Sequence, residues 1–311
     1  MMQDRMIYGC MGLGGGWDRE PYGATDVSHA QAVVEAALEA GITAFDHADI
    51  YRHGKAEAVF GEVLARAPGL RQRITLQTKC GIRVADGDAP GTYDLRGRSI
   101  VQRVEESLTR LRTDYLDTLL LHRPDPLAVP EDVAMALASL HRQGLVRQFG
   151  VSNMSAAQIA RLQGSFELPL IANQLEMSLY RRDWLEAEIL VNTPGAAELG
   201  FPLGTVEYCR ANSVRLQAWG PLAQGRYTDR PETEADRATA ALVRRLAERK
   251  GTTGETIVLW WLQCHPAAIV PVIGTSRPDR IRACGDAAGE PELSHEEWYQ
   301  LWITARGADL P

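Results

Sequence analysis

Phe45-Asp46-His47-Ala48-Asp49-Ile50-Tyr51 puts a carboxylate at the end of an apolar run and a tyrosine in the loop beyond it. Upstream, residues 28–40 follow an amphipathic helical period closed by Gly41. Downstream, residues 55–67 follow another, so the stretch reads as a strand-to-helix turn. In (β/α)8 barrels and open α/β sheets the chemistry gathers at such turns, outside the carboxyl ends of the strands.

Working outward, short β-rich runs alternate with helical periods, the pattern of βα units that builds a parallel sheet. The pattern predicts strands at 6–11, 43–46, 74–79, 115–121, 146–151, 171–174, 214–219 and 269–273. It predicts helices at 28–40, 55–67, 99–111, 130–143, 155–163, 204–212, 255–265 and 278–284. Residues 235–250 and 294–306 are surplus helices, one before the seventh unit's helix and one at the C-terminus. No repeat or linker divides the chain, so the expected architecture is one (β/α)8 TIM barrel over residues 1–311. The connections 83–98 and 179–200 are long, which suggests a lid or a substrate wall.

Composition narrows the partners. A net charge of -7 over 311 residues argues against a nucleic-acid binder, because such proteins cluster Lys and Arg for counterion release. Residues 1–9 carry Asp4 and Arg5 where a signal peptide needs an apolar run, and the apolar stretch 257–262 is too short to span a bilayer. Cys10, Cys80, Cys209, Cys264 and Cys284 are odd in number and form no C-x-x-C, the usage of reduced thiols. A cytoplasmic protein with no nucleic-acid or membrane partner is expected, either a monomer or a weak homo-oligomer.

Strand alternation then selects the polar residues that face the barrel axis. In Ile74-Thr75-Leu76-Gln77-Thr78-Lys79 it sends Ile74 and Leu76 toward the helices and Thr75, Gln77 and Lys79 inward. His122 ends the fourth strand just before Pro124, and Asp46 ends the second. Asp46, Tyr51, Lys79 and His122 therefore converge on one mouth. A tyrosine is a weak acid with a free pKa of about 10. A lysine ammonium beside it favours the phenolate, and a carboxylate holds that lysine charged and aimed. A histidine completes the group by hydrogen-bonding the oxygen on which charge develops. The reaction that needs this set is carbonyl reduction, with hydride delivered to carbon and a proton to oxygen.

Each residue also has a structural reading. Asp46 and Lys79 could form a salt bridge closing the barrel, and His122 could be a satisfied core histidine. Tyr51 could be surface, and Trp219 core packing. Asp46, His47 and Asp49 could be metal ligands, but no further His or acidic pair at another strand end completes a shell. Joint occurrence at successive strand ends favours the catalytic reading.

With these residues in place the sequence resembles an aldo-keto reductase, and most of all the little-characterised bacterial oxidoreductases of that family. The resemblance spans nearly the whole chain. It implies Tyr51 as proton donor, with Lys79, Asp46 and His122 beside it, in a nicotinamide-dependent barrel. It also implies that Gly150-Val151-Ser152-Asn153 and Asn173-Gln174 grip the nicotinamide carboxamide through Ser152, Asn153 and Gln174. Ala218-Trp219-Gly220-Pro221-Leu222 resembles the segment whose aromatic stacks on the nicotinamide, and Gly225 and Arg226 follow as further cofactor contacts. Gly274-Thr275-Ser276-Arg277-Pro278-Asp279-Arg280 resembles the loop that holds the adenosine ribose and its 2′-phosphate. Gly274 stands where many members place a lysine, which leaves Arg277 and Arg280 to supply charge.

The glycine cluster Gly12-Leu13-Gly14-Gly15-Gly16 is no Rossmann fingerprint, since Trp17 takes the third glycine's place. Gly14 is expected to let the loop run close to cofactor or substrate, with Trp17 as a wall of the substrate pocket beside Tyr51 and His122. The expected protein is thus an NADP-preferring reductase of aldehydes or ketones, with NAD(H) a possible second cofactor. The alternative is a nicotinamide-binding redox sensor or regulatory subunit with little turnover.

Overall fold

A computed structural model describes residues 5–311; Asp4, weighed above against a signal peptide, lies outside them. The strands of the described residues are β1 (Ile7–Gly9), β2 (Ala44–Asp46), β3 (Thr75–Cys80), β4 (Ile82–Arg83), β5 (Thr92–Tyr93), β6 (Leu116–Leu121), β7 (Val146–Ser152), β8 (Leu170–Glu176), β9 (Arg215–Trp219) and β10 (Val270–Ile273). The helices are α1 (Ala24–Glu39), α2 (Lys55–Arg66), α3 (Gly97–Leu111), α4 (Pro130–Arg142), α5 (Ala156–Gln163), α6 (Asp183–Ile189), α7 (Thr205–Ala211), α8 (Glu234–Lys250), α9 (Gly254–Gln263), α10 (Pro278–Arg282) and α11 (His295–Arg306). Eight of the strands close a parallel barrel in the order β1-β10-β9-β8-β7-β6-β3-β2. The surplus helices predicted from sequence are α8 and α11.

Local chemistry explains where the elements depart from their predicted bounds. Helix α1 begins at Ala24, earlier than expected, because the Gly23 N–H donates to Asp26 Oδ2 at 2.8 Å and starts the first turn. Helix α3 begins at Gly97, whose N–H donates to Asp132 Oδ2 at 2.7 Å. Strand β1 stops at Gly9, and residues 10–12 turn in a 3-10 helix. The long connections are not structureless. The first carries the antiparallel β4–β5 hairpin, and the second carries α6.

Two apolar cores result. The large one fills the space between barrel wall and helices, where Phe45 of β2 meets Phe60 of α2 with ring centroids 5.2 Å apart. Truncating either of these fully buried rings to alanine costs about 3–5 kcal/mol. The small one, Ile7, Ala44, Val270 and Val272, lies apart from it. The buried polar residues Asp46, Gln77, Lys79, Gln174 and Gln217 also come from barrel strands. Parallel register sets Asp46 beside Gln77 and Gln174 beside Gln217 on neighbouring strands. Among the described residues no helix is long and apolar enough to cross a membrane.

Candidate active site

Lys79 is the hub. Its Nζ donates to Asp46 Oδ2 at 2.6 Å, to the His47 carbonyl oxygen at 2.9 Å and to Tyr51 Oη at 3.1 Å, which uses all three ammonium protons. Lys79 and Asp46 are each 1% exposed, so the pair is fully desolvated. Burial pushes the Lys79 ammonium down, but Asp46 and Tyr51 outweigh it and hold the group above its ordinary value.

Tyr51 follows the strand end on a turn that the sequence does not announce. Arg52 and His53 both adopt left-handed backbone, with φ of 53° and 57°. Non-glycine residues in this region are strained by about 1–3 kcal/mol each and cluster where a site over-determines the chain. Burial raises the Tyr51 pKa, and the Lys79 charge opposes it without cancelling it. From the sequence alone, the lysine is expected to set the net direction. Its contribution has the expected sign, but the dry setting outweighs it.

His122 meets Tyr51 edge-on, with ring centroids 6.0 Å apart. Burial first, then the charges of Lys79 and Arg123, press its pKa down to about 2. At neutral pH it is therefore a neutral imidazole, able to donate one N–H to an oxygen without carrying a charge of its own. The neighbouring carboxylates and imidazole part ways: His47 turns its ring onto Phe60 at 4.7 Å, and Asp49 points to Arg103 at 3.7 Å. They do not converge on a common point with Asp46.

The residues expected to grip a carboxamide lie on or just after β7, β8 and β9. The Ser152 hydroxyl donates to the Gln174 carbonyl oxygen at 2.9 Å, and Asn153 Nδ2 donates to Ser152 Oγ at 2.7 Å. Asn153 also accepts from Trp219 Nε1 at 3.3 Å, which ties the indole to the same group. A hydroxyl, the Asn153 carboxamide, the Gln174 main-chain carbonyl and a flat aromatic thus meet at one end of the barrel. That set suits a ligand combining an amide with an aromatic ring, as a nicotinamide does.

The remaining candidates fall in three places. Gly14, with φ of 83°, brings the first loop against α2; a Cβ there would lie 2.7 Å from the Lys55 backbone. The close neighbour that demands glycine is therefore the helix. Trp17 is half-exposed, with the Arg52 guanidinium over its ring at 5.2 Å. Beyond Trp219, the loop through Gly220, Pro221 and Leu222 reaches Gly225 and Arg226. Arg226 is paired with Asp236 at 2.6 Å and Glu232 at 2.7 Å and lies over the Tyr180 ring. After β10 come Gly274, Thr275 and Ser276. Arg277 is exposed and, among the described residues, its guanidinium pairs only with Asp279 at 2.6 Å. Arg280 is held by Asp229, by Glu255 at 2.8 Å and by Thr228 at 3.1 Å. Nothing in the sequence marks Gln217, and only strand alternation marks Gln77; yet Gln77 Nε2 donates to Asp46 Oδ1 at 2.6 Å.

Comparison with known proteins agrees with this geometry. A family model described as "Aldo/keto reductase family" matches residues 5–303. The chain is 36% identical over 284 residues to the uncharacterized oxidoreductase YcsN of Bacillus subtilis, covering 90% of this chain and 89% of that protein. It is 35% identical over 310 residues to a 6-dehydroglucose reductase of Agrobacterium fabrum, covering 98% and 95% respectively. In fold it is similar to a glycerol dehydrogenase from Gluconobacter oxydans, with a TM-score of 0.81, 23% identity and coverage of 99% and 93%. With a family match over nearly its full length, the chain belongs to the aldo/keto reductase family, whose members are NAD(P)H-dependent oxidoreductases.

Proposed function

We propose that the chain acts as one (β/α)8 unit over residues 1–311 and reduces an aldehyde or ketone to an alcohol with Tyr51 as proton donor. The observation that carries this reading is the single buried ammonium of Lys79 touching both Asp46 and Tyr51. A substrate carbonyl oxygen fits between Tyr51 Oη and the His122 ring. His122, held neutral, donates a hydrogen bond to that oxygen as it gains charge. Tyr51 transfers its proton, and Lys79 steadies the phenolate left behind. Asp46 keeps Lys79 protonated and aimed. Ser152, Asn153, Gln174 and Trp219 are assigned to the nicotinamide, which when bound supplies the hydride. The five free cysteines support action in a reducing compartment such as the cytoplasm.

We assign NADP(H) as the preferred cofactor, because two hydroxyl residues, Thr275 and Ser276, and the exposed guanidinium of Arg277 follow β10 in succession. The test is steady NADPH oxidation with 4-nitrobenzaldehyde, methylglyoxal and quinones. Tyr51→Phe should keep NADPH affinity while cutting turnover by about a hundredfold or more. Near wild-type turnover in that variant would sink the assignment, and tight NADPH binding without turnover in the native protein would favour a sensor.

A further inference from the structure

Below the Asp46–Lys79 pair, Gln77, Gln217 and Gln174 are each 5% exposed or less. Aliphatic side chains usually fill this part of a barrel. Here Gln77 of β3 and Gln217 of β9, strands that are not neighbours, pair their amides reciprocally across the lumen at 3.0 Å in both directions. Gln174 Nε2 donates to Gln217 Oε1 at 2.9 Å, and Gln77 Nε2 donates to Asp46 Oδ1 at 2.6 Å.

The orientation of this chain is fixed from one end. The ionised Asp46 can only accept, so Gln77 must present its NH2 to Asp46 and to Gln217 Oε1. Gln217 must then return its own NH2 to Gln77 Oε1, and Gln174 must donate to Gln217. A continuous donor path therefore runs from Gln174 through Gln217 and Gln77 to Asp46, with one return bond from Gln77 to Gln217, and bonds linked in this way polarise one another. Among the described residues no donor reaches Gln174 Oε1, which can accept the N–H of a carboxamide.

We propose that Gln77 and Gln217 are positioning residues that join the nicotinamide seat at Gln174 to the proton-donor group Asp46–Lys79–Tyr51. The proposal rests on the reading of Tyr51 and Gln174 given above. Without the Gln77 donor, a desolvated oxygen of Asp46 draws the shared proton from Lys79, and the cation that steadies the Tyr51 phenolate weakens. The charged and titratable groups facing Tyr51 are Lys79 from β3, Asp46 from β2, Cys10 after β1 and His122 after β6. Of these, only Asp46 and its partner Lys79 lie on the glutamine chain.

The experiment compares Gln77→Met, Gln217→Met and the double variant in the full-length enzyme. It measures NADPH affinity, turnover, melting temperature, and the pH midpoint of alcohol oxidation, which needs the Tyr51 phenolate as base. Gln77→Met should leave the NADPH dissociation constant within about twofold, lower turnover about tenfold or more, and move the pH midpoint upward. Gln217→Met should weaken NADPH about threefold or more, because Gln174 loses its anchor. The double variant removes both lumen amides at once, so it should recover much of the melting temperature lost by the singles while keeping the upward midpoint. Recovery of wild-type turnover and midpoint in the double variant would mean that the amides only fill the barrel, and would overturn the proposal. Tyr51→Phe, run alongside, separates the two readings. Full activity there removes the acid assignment itself, whereas an inactive Tyr51→Phe with an unshifted Gln77→Met midpoint removes the relay alone.

Discussion

Lys79 Nζ stands 3.1 Å from the Tyr51 hydroxyl and draws its charge balance from Asp46 on the far side, 2.6 Å away. In the proposed reaction one cation serves two anions in turn: the permanent carboxylate and the phenolate that would form as the proton leaves. Burial raises the cost of a phenolate at Tyr51 and the ammonium lowers it, so the proposed transfer depends on Lys79.

Replacing Lys79 with Met removes the cation and leaves a buried carboxylate beside the phenol. Turnover should fall by about a hundredfold or more. Losing one partner of a buried pair should also cost about 3–5 kcal/mol of stability. Adding Asp46→Asn removes the orphaned charge, so the double variant should recover melting temperature but not turnover. If turnover returns with stability, the pair is structural and the acid reading of the site fails.

Asp49 supplies a second test, of opposite character. Burial first, then the Glu57 charge, lift its pKa to about 7, against the partial opposition of Arg103 and Arg110. The folded state thus binds a proton more tightly than the unfolded chain. Stability is lost as pH rises from about 4 to about 7 and is flat above that, by an amount on the order of a few kcal/mol. Asp49→Asn should therefore raise the melting temperature more at pH 8 than at pH 5. Equal gains at both pH values would show that the carboxylate is not strained by burial.

His47 works in the acid direction. It is fully buried, neither ring nitrogen has a partner among the described residues, and burial followed by Lys79 lowers its pKa to about 3. Above about pH 6.5 both folded and unfolded forms are neutral. As pH falls from there toward 3, only the unfolded chain takes up the proton, so stability drops. His47→Leu keeps an apolar contact with Phe60 and removes this proton linkage. The loss of melting temperature between pH 7 and pH 5 should be smaller in the variant, and an unchanged slope would assign acid sensitivity to other groups.

How much of this was legible in the sequence follows from the range of the forces involved. The eight barrel strands and the two surplus helices were visible because alternation and helical periodicity are local. Asp46, Lys79 and His122 were visible because strand ends in a parallel barrel point to one face. The glutamine pair was not, since Gln77 and Gln217 are 140 residues apart and meet only once the barrel closes. The left-handed turn at Arg52 and His53 was hidden for a different reason. Neither residue type favours that backbone, so only the finished packing holds it. The partners of Arg226 and Arg280 were hidden too, because a guanidinium read in sequence shows its charge and not the carboxylates that surround it.

The last prediction concerns those carboxylates. NADP differs from NAD by a ribose 2′-phosphate, whose negative charge needs cations or hydrogen-bond donors around it. Thr275, Ser276 and Arg277 offer two hydroxyls and an exposed guanidinium, which among the described residues is engaged only by the equally exposed Asp279. Such a surface pair is weak, so the phosphate can take the guanidinium at little expense. Arg280 is different, because Asp229, Glu255 and Thr228 already occupy it, and its role is to tie the loop after β9 to α9 and α10. Arg277→Ala should weaken NADPH by about 1–3 kcal/mol and leave NADH nearly unchanged. Arg280→Ala should also weaken NADPH, but should in addition lower the melting temperature and loosen NADH, since it unfastens the loop. Fluorescence titration following Trp219 quenching, with both cofactors on the native protein and on each variant, measures all six constants. Equal affinity of the native protein for NADPH and NADH, or equal losses for the two cofactors in Arg277→Ala, would overturn the assigned preference.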